Sequence, residues 1–330
     1  MLTATMSNRT LKQIKAPIAG DMIRFNETFK KSLKSGTPLL DKIMAYVVKT
    51  KGKQMRPMFA ILSAKIIGDA NERTYVGASM VELLHTATLV HDDVVDDSNY
   101  RRGFFSINAL WKNKIAVLIG DYLLSKGLLV ALKSDEFAML KELSTTVEEM
   151  SEGELLQIEK ARKLDITEDI YYDIIKNKTA SLIASSCAVG GLSVDADTEH
   201  VELLREIGEA VGIAFQIRDD LFDYGVDDIG KPVGNDIKEK KMTLPLIYAL
   251  DKASFLEKKR IIHIVKRNNN DPVKVKKVIS FVKENGGLEY AQQAMYEYRE
   301  KAFQLLDRLP DNEASRSMKD LITFVTERKK

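Results

Sequence analysis

The sequence predicts an all-α protein that folds as a single large helical bundle. Long segments place apolar residues three and four positions apart, which is the spacing of one helix face. We find no run of alternating apolar and polar residues typical of strands, and no linker rich in Gly, Ser or Pro divides the chain. The 330 residues would allow two domains, but these observations favour one.

Five segments carry the helical pattern most clearly. In chain order they cover residues 74–91, 114–132, 168–189, 201–224 and 275–309. Within them, residues 116–124 and 180–189 are apolar on more than one face, which is typical of helices at the centre of a bundle. Asn285, Gly286 and Gly287 predict the end of one late helix and a turn into the next.

The composition is that of a soluble globular protein, with 45% apolar and 30% charged residues. Lys and Arg total 50 against 48 Asp and Glu, so the net charge gives no reason to expect a nucleic-acid partner. The single cysteine, Cys187, excludes an intrachain disulfide, and its apolar neighbours indicate a core residue rather than a nucleophile. The N-terminus lacks the apolar region of a signal peptide and no apolar stretch approaches a membrane span, so we expect a cytoplasmic protein.

Four carboxylates are crowded into the stretch HDDVVDDSNYRRG, residues 91–103, which directly continues a predicted helix. Residues four apart lie on one face of a helix, so Asp92 shares a face with Asp96, and Asp93 shares one with Asp97. The C-terminal end of a helix carries partial negative charge, which makes acidic groups less favourable there. The stretch therefore predicts a site that binds a cation.

A second acidic cluster ends the predicted helix at residues 201–224. Asp219 and Asp223 repeat the spacing of four residues, and Asp220 lies beside them. Either cluster alone is also explained by a solvated helix end, but two clusters that each close an apolar helix favour a shared metal site. Oxygen ligands at this spacing suit Mg²⁺ bridged to a substrate phosphate, and no group of Cys or His residues accompanies them to suit zinc.

Basic residues of the kind that bind phosphate occur in several predicted loops and in one apolar helix. Lys178 is the most informative because its neighbours are mostly apolar, whereas a lysine in a loop is usually a solvated surface residue. The others are Lys51, Lys53, Arg56, Arg101, Arg102, Lys231, Lys240 and Lys241. Two acidic clusters together with these cations predict a site for two polyanionic groups around metal ions.

These motifs, in this order, resemble those of the trans-type (E-) isoprenyl diphosphate synthases, also called polyprenyl synthetases. The resemblance runs from KGKQMRP, residues 51–57, to NGGLEYA, residues 285–291. HDDVVDD with RRG resembles the family's first aspartate-rich motif, and FQIRDDLFD, residues 215–223, resembles the second. The resemblance implies the isoprenoid synthase fold, a helical bundle around a central hydrophobic cavity, with residues 1–20 as an N-terminal extension and 21–330 as the catalytic domain.

The resemblance also implies roles for individual residues. The main ligands of about three Mg²⁺ ions would be Asp92, Asp96 and Asp219, supported by Asp93, Asp220 and Asp223. The allylic diphosphate would be bound by Arg101, Lys178, Gln216, Lys231 and Lys241. Isopentenyl diphosphate would be bound by Lys53, Arg56, His85 and Arg102.

Two segments depart from the family pattern. The family's GGKRLRP reads KGKQMRP here, so that Lys51 replaces a glycine and Gln54 an arginine. We expect this change to affect substrate affinity before mechanism, because Lys53 and Arg56 are kept. The family's GK before its T-x-P segment reads KK here, which leaves Lys241 in place.

The implied reaction is the head-to-tail (1'-4) condensation of isopentenyl diphosphate with an allylic diphosphate, farnesyl or geranylgeranyl diphosphate. The acidic residues would act as metal ligands and not as proton carriers, and the released diphosphate would be the base. The allylic cation would be stabilised by three dipoles, which are the Lys178 carbonyl, the Thr179 hydroxyl and the Gln216 amide.

Product length would depend on two small residues before the first aspartate-rich motif. In the family, bulky residues four and five positions before that motif close the hydrocarbon tunnel, and here these positions hold Thr88 and Ala87. Because Thr88 lies one helical turn from Asp92, a growing tail would descend past it. We therefore expect a long-chain, octaprenyl-like all-trans product of the kind used for quinone side chains. A short-chain geranylgeranyl or farnesyl product is the alternative, in which Ala87 merely permits helix packing.

Three other functions fit parts of the sequence less well. A class I terpene cyclase shares the fold and the first motif but has a different second metal motif, and a non-catalytic synthase subunit lacks one or both motifs. An HD-type phosphohydrolase, suggested by His91 and Asp92, needs further histidines at suitable spacing, so His91 is better explained as a packed helix residue. The resemblance favours a homodimer with small-molecule substrates, no nucleic acid, no transmembrane segment, and transient membrane contact during product release.

Overall fold

The computed structural model describes residues 10–50, 52–101, 103–226 and 233–327, and they are almost entirely helical. The first helices are α1 (Leu11–Lys15), α2 (Ala19–Leu33), α3 (Pro38–Lys49), α4 (Met55–Ile67), α5 (Glu72–Val95), α6 (Ile107–Lys133), α7 (Phe137–Lys163) and α8 (Glu168–Ile175). The remaining helices are α9 (Ser181–Leu192), α10 (Thr198–Phe222), α11 (Asn235–Lys238), α12 (Leu244–Lys252), α13 (Phe255–Arg267), α14 (Pro272–Glu284), α15 (Gly287–Leu306) and α16 (Glu313–Glu327). A 3₁₀ turn, Ala16–Ile18, joins α1 to α2, and a π-helical turn, Lys176–Ala180, joins α8 to α9. The predicted all-α fold is confirmed.

The two helices that end in acidic clusters, α5 and α10, begin at well-formed N-terminal caps. The Asn71 side chain accepts hydrogen bonds from the backbone N–H groups of Arg73 and Thr74, and that of Asp197 accepts one from the N–H of His200. Such caps satisfy N–H groups that have no partner inside the helix. Both helices are then buried along much of their length, so the packed core fixes the position of their acidic ends.

Two glycines let α10 lie in direct backbone contact with its neighbours. A Cβ atom at Gly208 would lie 2.6 Å from Ala184 Cα, and one at Gly212 would lie 2.4 Å from Ala180 Cα. Any larger side chain at these positions would force the backbones apart. The contact at Gly212 holds the π-helical turn closely against α10.

A buried charged network fixes α7 relative to α9 and α10. Arg205 Nη1 donates to Glu142 Oε1 at 2.6 Å, and Ser185 Oγ donates to the same oxygen at 2.8 Å. Buried charges are tolerated where they are paired and hydrogen-bonded in this way. The network matters for the site because α7 also carries Glu154 and Gln157.

Two irregular features follow the first acidic cluster, and the helical pattern did not predict them. Strands β1 (Tyr100–Arg101) and β2 (Phe104–Phe105) form a two-stranded antiparallel sheet, which is too short to produce a visible sequence period. In α6, Lys112 breaks the helix with φ 73 and ψ 159. The turn predicted at residues 285–287 is confirmed, because α14 ends at Glu284 and α15 begins at Gly287.

The predicted N-terminal extension, residues 1–20, is described from residue 10 onward. Ile14 and Ile18 are 1% and 0% exposed, and they belong to the same hydrophobic core as α2 and α16. The domain boundary at residue 21 stays a prediction.

We expected no transmembrane segment, and among the described residues α6 is the one helix long and apolar enough to cross a membrane by length and composition. It packs along α5, where the His91 ring lies against Gly120. Its other face exposes Leu110, Val117, Leu118, Leu128, Leu129 and Leu132.

Candidate active site

The first acidic cluster places Asp92 in the last turn of α5, half-buried, with Asp96 exposed just beyond the helix end. Burial raises the pKa of Asp92 to about 6, the charges of Lys178 and Arg101 oppose this shift, and those of Glu154 and Asp96 add to it. Burial disfavours the ionised form of such a carboxyl group, and a bound cation would stabilise that form.

Asp93 is buried, and its carboxylate contacts Arg101. Arg101 Nε donates to Asp93 Oδ1 at 2.7 Å. Burial raises the pKa of Asp93, and the hydrogen bond from Arg101 lowers it. The prediction that Asp93 and Asp97 share a helix face is wrong, because α5 ends at Val95 and Asp97 adopts a left-handed φ of 48°.

The second acidic cluster divides into three different environments. Asp219 is half-buried at the last turn of α10. Asp220 is 5% exposed, and burial raises its pKa to about 7 although hydrogen bonds from Tyr171 and Gln216 oppose the shift. Asp223 accepts hydrogen bonds from the backbone N–H groups that open α11. Asp220 and Asp223 are thus held by the protein itself, and their role as supporting metal ligands stays a prediction.

A chain of hydrogen bonds joins the π-helical turn to the second cluster. Thr179 Oγ1 donates to Gln216 Oε1 at 2.9 Å, and Gln216 Nε2 donates to Asp220 Oδ1 at 2.8 Å. Tyr171 Oη donates to the other oxygen of Asp220 at 2.7 Å. The predicted residues Thr179, Gln216 and Asp220 are therefore brought together, and Tyr171 is a member of the site that the sequence did not reveal.

Lys178 lies in the same π-helical turn and contacts α7. Its Nζ atom forms an ion pair with Glu154 and donates a hydrogen bond to Gln157 Oε1 at 3.4 Å. A π turn changes the direction of side chains relative to a regular helix and is frequent at functional sites. Glu154 and Gln157 were not predicted from the sequence because they belong to no motif. Glu154 is also one of several glutamates on α7, so its charge does not distinguish it.

Lys241 lies between the two acidic clusters. Its Nζ atom pairs with Glu239 Oε2 at 2.5 Å. Burial lowers the pKa of Lys241, but the contact with Glu239 and the charges of Asp236 and Asp96 outweigh it and raise the pKa to about 12. The charge of Lys241 also lowers the pKa of Asp220. The charge of Lys241 thus interacts with acidic groups of both clusters, and these clusters face a common space.

This space consists of two connected clefts that share Gln157, Ala161 and Lys241. The inner cleft, about 230 Å³, is lined by residues that include Lys178, Thr179, Gln216, Asp220 and Asp236. The outer cleft, about 580 Å³, is lined by residues that include Asp96, Glu154, Arg162, Glu239 and Lys240. Lys231, predicted for the same site, lies outside the described residues.

The residues predicted for the second diphosphate lie near the start of α4. Arg56 Nη1 is 2.9 Å from His85 Nε2, so two of them are in direct contact. Lys53 is exposed, with its Nζ atom 5.2 Å from the centroid of the Phe324 ring. Gln54, which departs from the family pattern, is buried and donates to Asn26 Oδ1 at 3.1 Å. Arg102 and Lys51 lie outside the described residues.

An apolar cavity of about 230 Å³ lies between α5, α6 and α7. From α5 it is lined by Leu84 and Met80, which are one and two turns below Thr88. Thr88 is half-buried and Ala87 is 0% exposed, and neither lines this cavity. The path of the tail past Thr88 and Ala87 stays a prediction, and the α5 residues that line this cavity lie one and two turns deeper than Thr88.

Two residues that looked reactive in the sequence are structural. His91 Nε2 lies 3.2 Å from the Val117 carbonyl oxygen, and its ring packs on α6. Cys187 is fully buried, and burial raises the pKa of its thiol to about 12. Both interpretations made from the sequence are confirmed.

The donor set fits a divalent cation that binds together with a diphosphate. Within the part of the chain that the structure describes, no group of three or more His, Cys, Asp or Glu side chains converges on a preformed metal position. The available donors are carboxylate oxygens on α5 and α10, among them the half-buried carboxylate of Asp92, whose ionised form would be stabilised by a cation. Mg²⁺ keeps several waters and completes its shell with substrate phosphates, so this open arrangement suits it.

Comparison with known proteins shows which family the chain belongs to. The sequence profile of the polyprenyl synthetase family matches residues 37–282. The all-trans-nonaprenyl-diphosphate synthase (geranyl-diphosphate specific) of Rhodobacter capsulatus is 35% identical over 96% of this chain and 98% of that protein. The geranylgeranyl diphosphate synthase of Saccharolobus solfataricus is 33% identical over 92% of this chain and 95% of that protein.

A solved structure extends the likeness to the fold. The polyprenyl synthase of Caulobacter crescentus, complexed with calcium and isoprenyl diphosphate, superimposes with a TM-score of 0.90. It is 28% identical, over 97% of this chain and 98% of that one. The matched profile covers most of the chain and both acidic clusters. The chain therefore belongs to the polyprenyl synthetase family and is a prenyl-transferring enzyme.

Proposed function

We propose that the enzyme is Mg²⁺-dependent and adds isopentenyl diphosphate to farnesyl or geranylgeranyl diphosphate by head-to-tail (1'-4) condensation. The proposed product is a long-chain all-trans polyprenyl diphosphate of the kind used for quinone side chains. The observation that carries the proposal is the position of Lys241, which lines the outer cleft together with Asp96 of the first cluster and the inner cleft together with Asp220 of the second. Two carboxylate clusters around one lysine form a space suited to a metal-bound diphosphate.

Asp92, Asp96 and Asp219 are the proposed metal-holding residues. A bound Mg²⁺ would supply Lewis-acid stabilisation of the negative charge on the leaving diphosphate. Asp220 and Asp223, which are hydrogen-bonded to the protein, fix the end of α10 and so orient Asp219. At α5, Asp93 has the corresponding supporting role, because its hydrogen bond with Arg101 fixes that arginine beside the proposed ligand Asp92.

The basic residues bind and orient the two substrates. Lys178 and Lys241, with Arg101, offer charge to the allylic diphosphate, and the contact pair of Arg56 and His85 offers donors to isopentenyl diphosphate. The C1–O bond of the allylic substrate breaks, and its electron pair leaves with the diphosphate. The alkene of isopentenyl diphosphate then forms the new bond to C1, and its proton is taken by the released diphosphate.

Thr179 and Gln216 are the proposed dipoles that stabilise the allylic cation. The Thr179 hydroxyl gives its only hydrogen to Gln216, so its lone pairs are available to the inner cleft. Gln216 is fixed in turn by Asp220, so both dipoles are oriented before substrate arrives. A neutral dipole is suited to this role because a strong nucleophile would capture the cation.

The apolar cavity below Thr88 is the proposed path of the growing hydrocarbon. Leu84 and Met80 line it on α5, while Leu140 and Leu143 line it on α7. Burial of each added methylene group in such a cavity is favourable. Relatives named for long and for short products share nearly the same sequence identity with this chain, so overall similarity does not predict product length. We propose that this cavity determines it.

The enzyme is proposed to be a cytoplasmic homodimer that uses the outer face of α6. That face exposes a row of leucine and valine side chains along the helix, an area that a second copy would bury. The interpretation accounts for the high hydropathy of α6 without a membrane span. Transient membrane contact when the product is released remains part of the proposal.

The direct test is incubation of the purified protein with isopentenyl diphosphate, Mg²⁺ and either farnesyl or geranylgeranyl diphosphate. We expect extension of both primers, loss of activity with EDTA, and products longer than geranylgeranyl by chromatography. Products that stop at geranylgeranyl diphosphate would refute the long-chain proposal but not prenyl transfer. A cyclic hydrocarbon, or no isopentenyl incorporation, would refute the reaction itself, and a monomeric mass in solution would refute the homodimer.

A further inference from the structure

The outer cleft carries more positive charge than the proposed reaction uses. Its cationic residues are Arg162, Lys240, Lys241, Lys266 and Arg267. Lys241 is paired with Glu239, and the lining residue Glu154 is paired with Lys178. Within the described residues, the other four cations form no ion pair or side-chain hydrogen bond, and Asp96 is the one remaining carboxylate of the lining. Four cations thus face a single acid.

Lys240 is held in a backbone conformation that is unfavourable for a residue with a side chain. Its φ is 60°, in the left-handed region. The turn is fixed by hydrogen bonds from the Lys240 N–H to the Ile237 carbonyl and from the Lys241 N–H to the Asp236 carbonyl. Glycine adopts this conformation without strain, so the backbone gives no reason for a lysine. What the lysine adds is a charge on the wall of the outer cleft.

The other three cations are carried by the ends of well-packed helices. Arg162 lies in the last turn of α7, and Lys266 and Arg267 lie in the last turn of α13. Beyond α13, Asn269 Nδ2 donates to the Lys238 carbonyl at the end of α11, which ties α13 to the turn that carries Lys240. The cations therefore line one cleft because of the fold, and an anion bound among them would offset their mutual repulsion.

We propose that Arg162, Lys240, Lys266 and Arg267 form an outer anion site that binds a diphosphate group beside the inner cleft. The inference rests on the proposed function, because it takes its ligand from that reaction. The two clefts share Lys241 and Gln157, so a diphosphate in the outer site lies directly on the path to or from the inner cleft. The group belongs either to the entering allylic substrate or to the inorganic diphosphate that leaves.

The first experiment measures binding of inorganic diphosphate by calorimetry in EDTA, where carboxylates cannot bind it through metal. We expect Lys240→Gly and the double variant Lys266→Gln/Arg267→Gln each to weaken binding by about 3- to 10-fold per removed charge. Lys276→Gln, which removes an exposed charge on α14, is the matched control and should bind like the parent protein. Lys240→Gly should melt no lower than the parent, because it removes backbone strain. Unchanged affinity in Lys240→Gly and in the double variant would overturn the proposal.

The second experiment identifies the source of the diphosphate from steady-state kinetics of the Mg²⁺-loaded enzyme. A rise in KM for the allylic substrate in Lys240→Gly, of about 3- to 10-fold, supports capture on entry. A similar rise in the inhibition constant of inorganic diphosphate supports a site on the exit path. No change in either constant would overturn the site. A parent protein that transfers no prenyl group would refute the proposed function, while the metal-free binding test would stand independently.

Discussion

Lys178 Nζ forms an ion pair with Glu154, on the wall between the inner and outer clefts. The lysine belongs to the π-helical turn, and the glutamate belongs to α7. The positive charge of Lys178, which we propose binds a diphosphate, is therefore paired with a protein carboxylate in this structure. Glu154 also raises the pKa of Asp92, although burial has the larger effect. The pair therefore acts on the proposed diphosphate site and on the pKa of Asp92.

Glu154→Gln should strengthen the binding of inorganic diphosphate without metal by about 3- to 10-fold, because Lys178 no longer has a competing anion. The measurement is calorimetry in EDTA. Glu152→Gln, an exposed residue two positions away on α7, is the matched control and should leave the affinity unchanged. Weaker binding in Glu154→Gln would show that the glutamate positions Lys178 rather than competing for it.

Gly212→Ala should reduce both stability and turnover. The new Cβ would lie 2.4 Å from Ala180 Cα, so the π-helical turn must move away from α10 and carry Thr179 away from Gln216. We expect the free energy of unfolding to fall by about 1–3 kcal/mol and kcat to fall with it. Gly20→Ala, which has no neighbour within 4 Å, is the control and should stabilise the protein slightly. Normal stability and kcat in Gly212→Ala would contradict the packing described.

Substitutions along the apolar cavity should change product length. Leu84→Ala should lengthen the products by enlarging the cavity. Thr88→Phe, one helical turn above Leu84, should shorten them by narrowing the proposed path into it. Leu256→Ala, at a 77% exposed position on α13, is the control for Leu84→Ala. Ala87→Phe should also shorten the products, but Ala87 is fully buried, so this variant should lose stability as well. An unchanged chain-length profile in Leu84→Ala and Thr88→Phe would place the hydrocarbon elsewhere.

Cys187 should make the stability depend on pH above neutrality. Burial raises the pKa of its thiol to about 12 from an ordinary value of 9.0, so the folded state keeps a proton that the unfolded state loses. Stability therefore falls as pH rises through 9, and this thiol accounts for a loss of about 1.4 kcal/mol between pH 8 and pH 10. Chemical denaturation of the parent and of Cys187→Ala at both values isolates the contribution. An equal loss in the two proteins would contradict it.

The sequence predicts the helices and the main acidic residues because their signals are local. Helical spacing identifies α5 and α10, and a motif of aspartates four apart indicates Asp92 and Asp96. The prediction that Asp93 and Asp97 share a helix face was wrong, because α5 ends at Val95 and the chain then turns through a left-handed conformation at Asp97. The helical spacing of the sequence continues past this point and does not indicate the turn.

The partners of the predicted site residues could not be identified from the sequence for a different reason. Tyr171 reaches Asp220, and Glu154 reaches Lys178, across 49 and 24 residues of chain, so their pairing exists only in the folded protein. Leu84 was missed because the cavity that it lines is defined by α6 and α7 as well as α5. The left-handed position of Lys240 is likewise invisible in the sequence.

The most direct test of the central claim compares three carboxylates by measuring prenyl transfer at saturating Mg²⁺. Asp92→Asn and Asp219→Asn should each lower kcat/KM by about 100-fold or more, because each removes a ligand of the proposed metal site. Asp97→Asn, in the same acidic stretch but exposed beyond the end of α5, is the matched control and should stay close to the parent. Near-normal product formation by Asp92→Asn or Asp219→Asn would contradict a metal-bound diphosphate held between the two clusters.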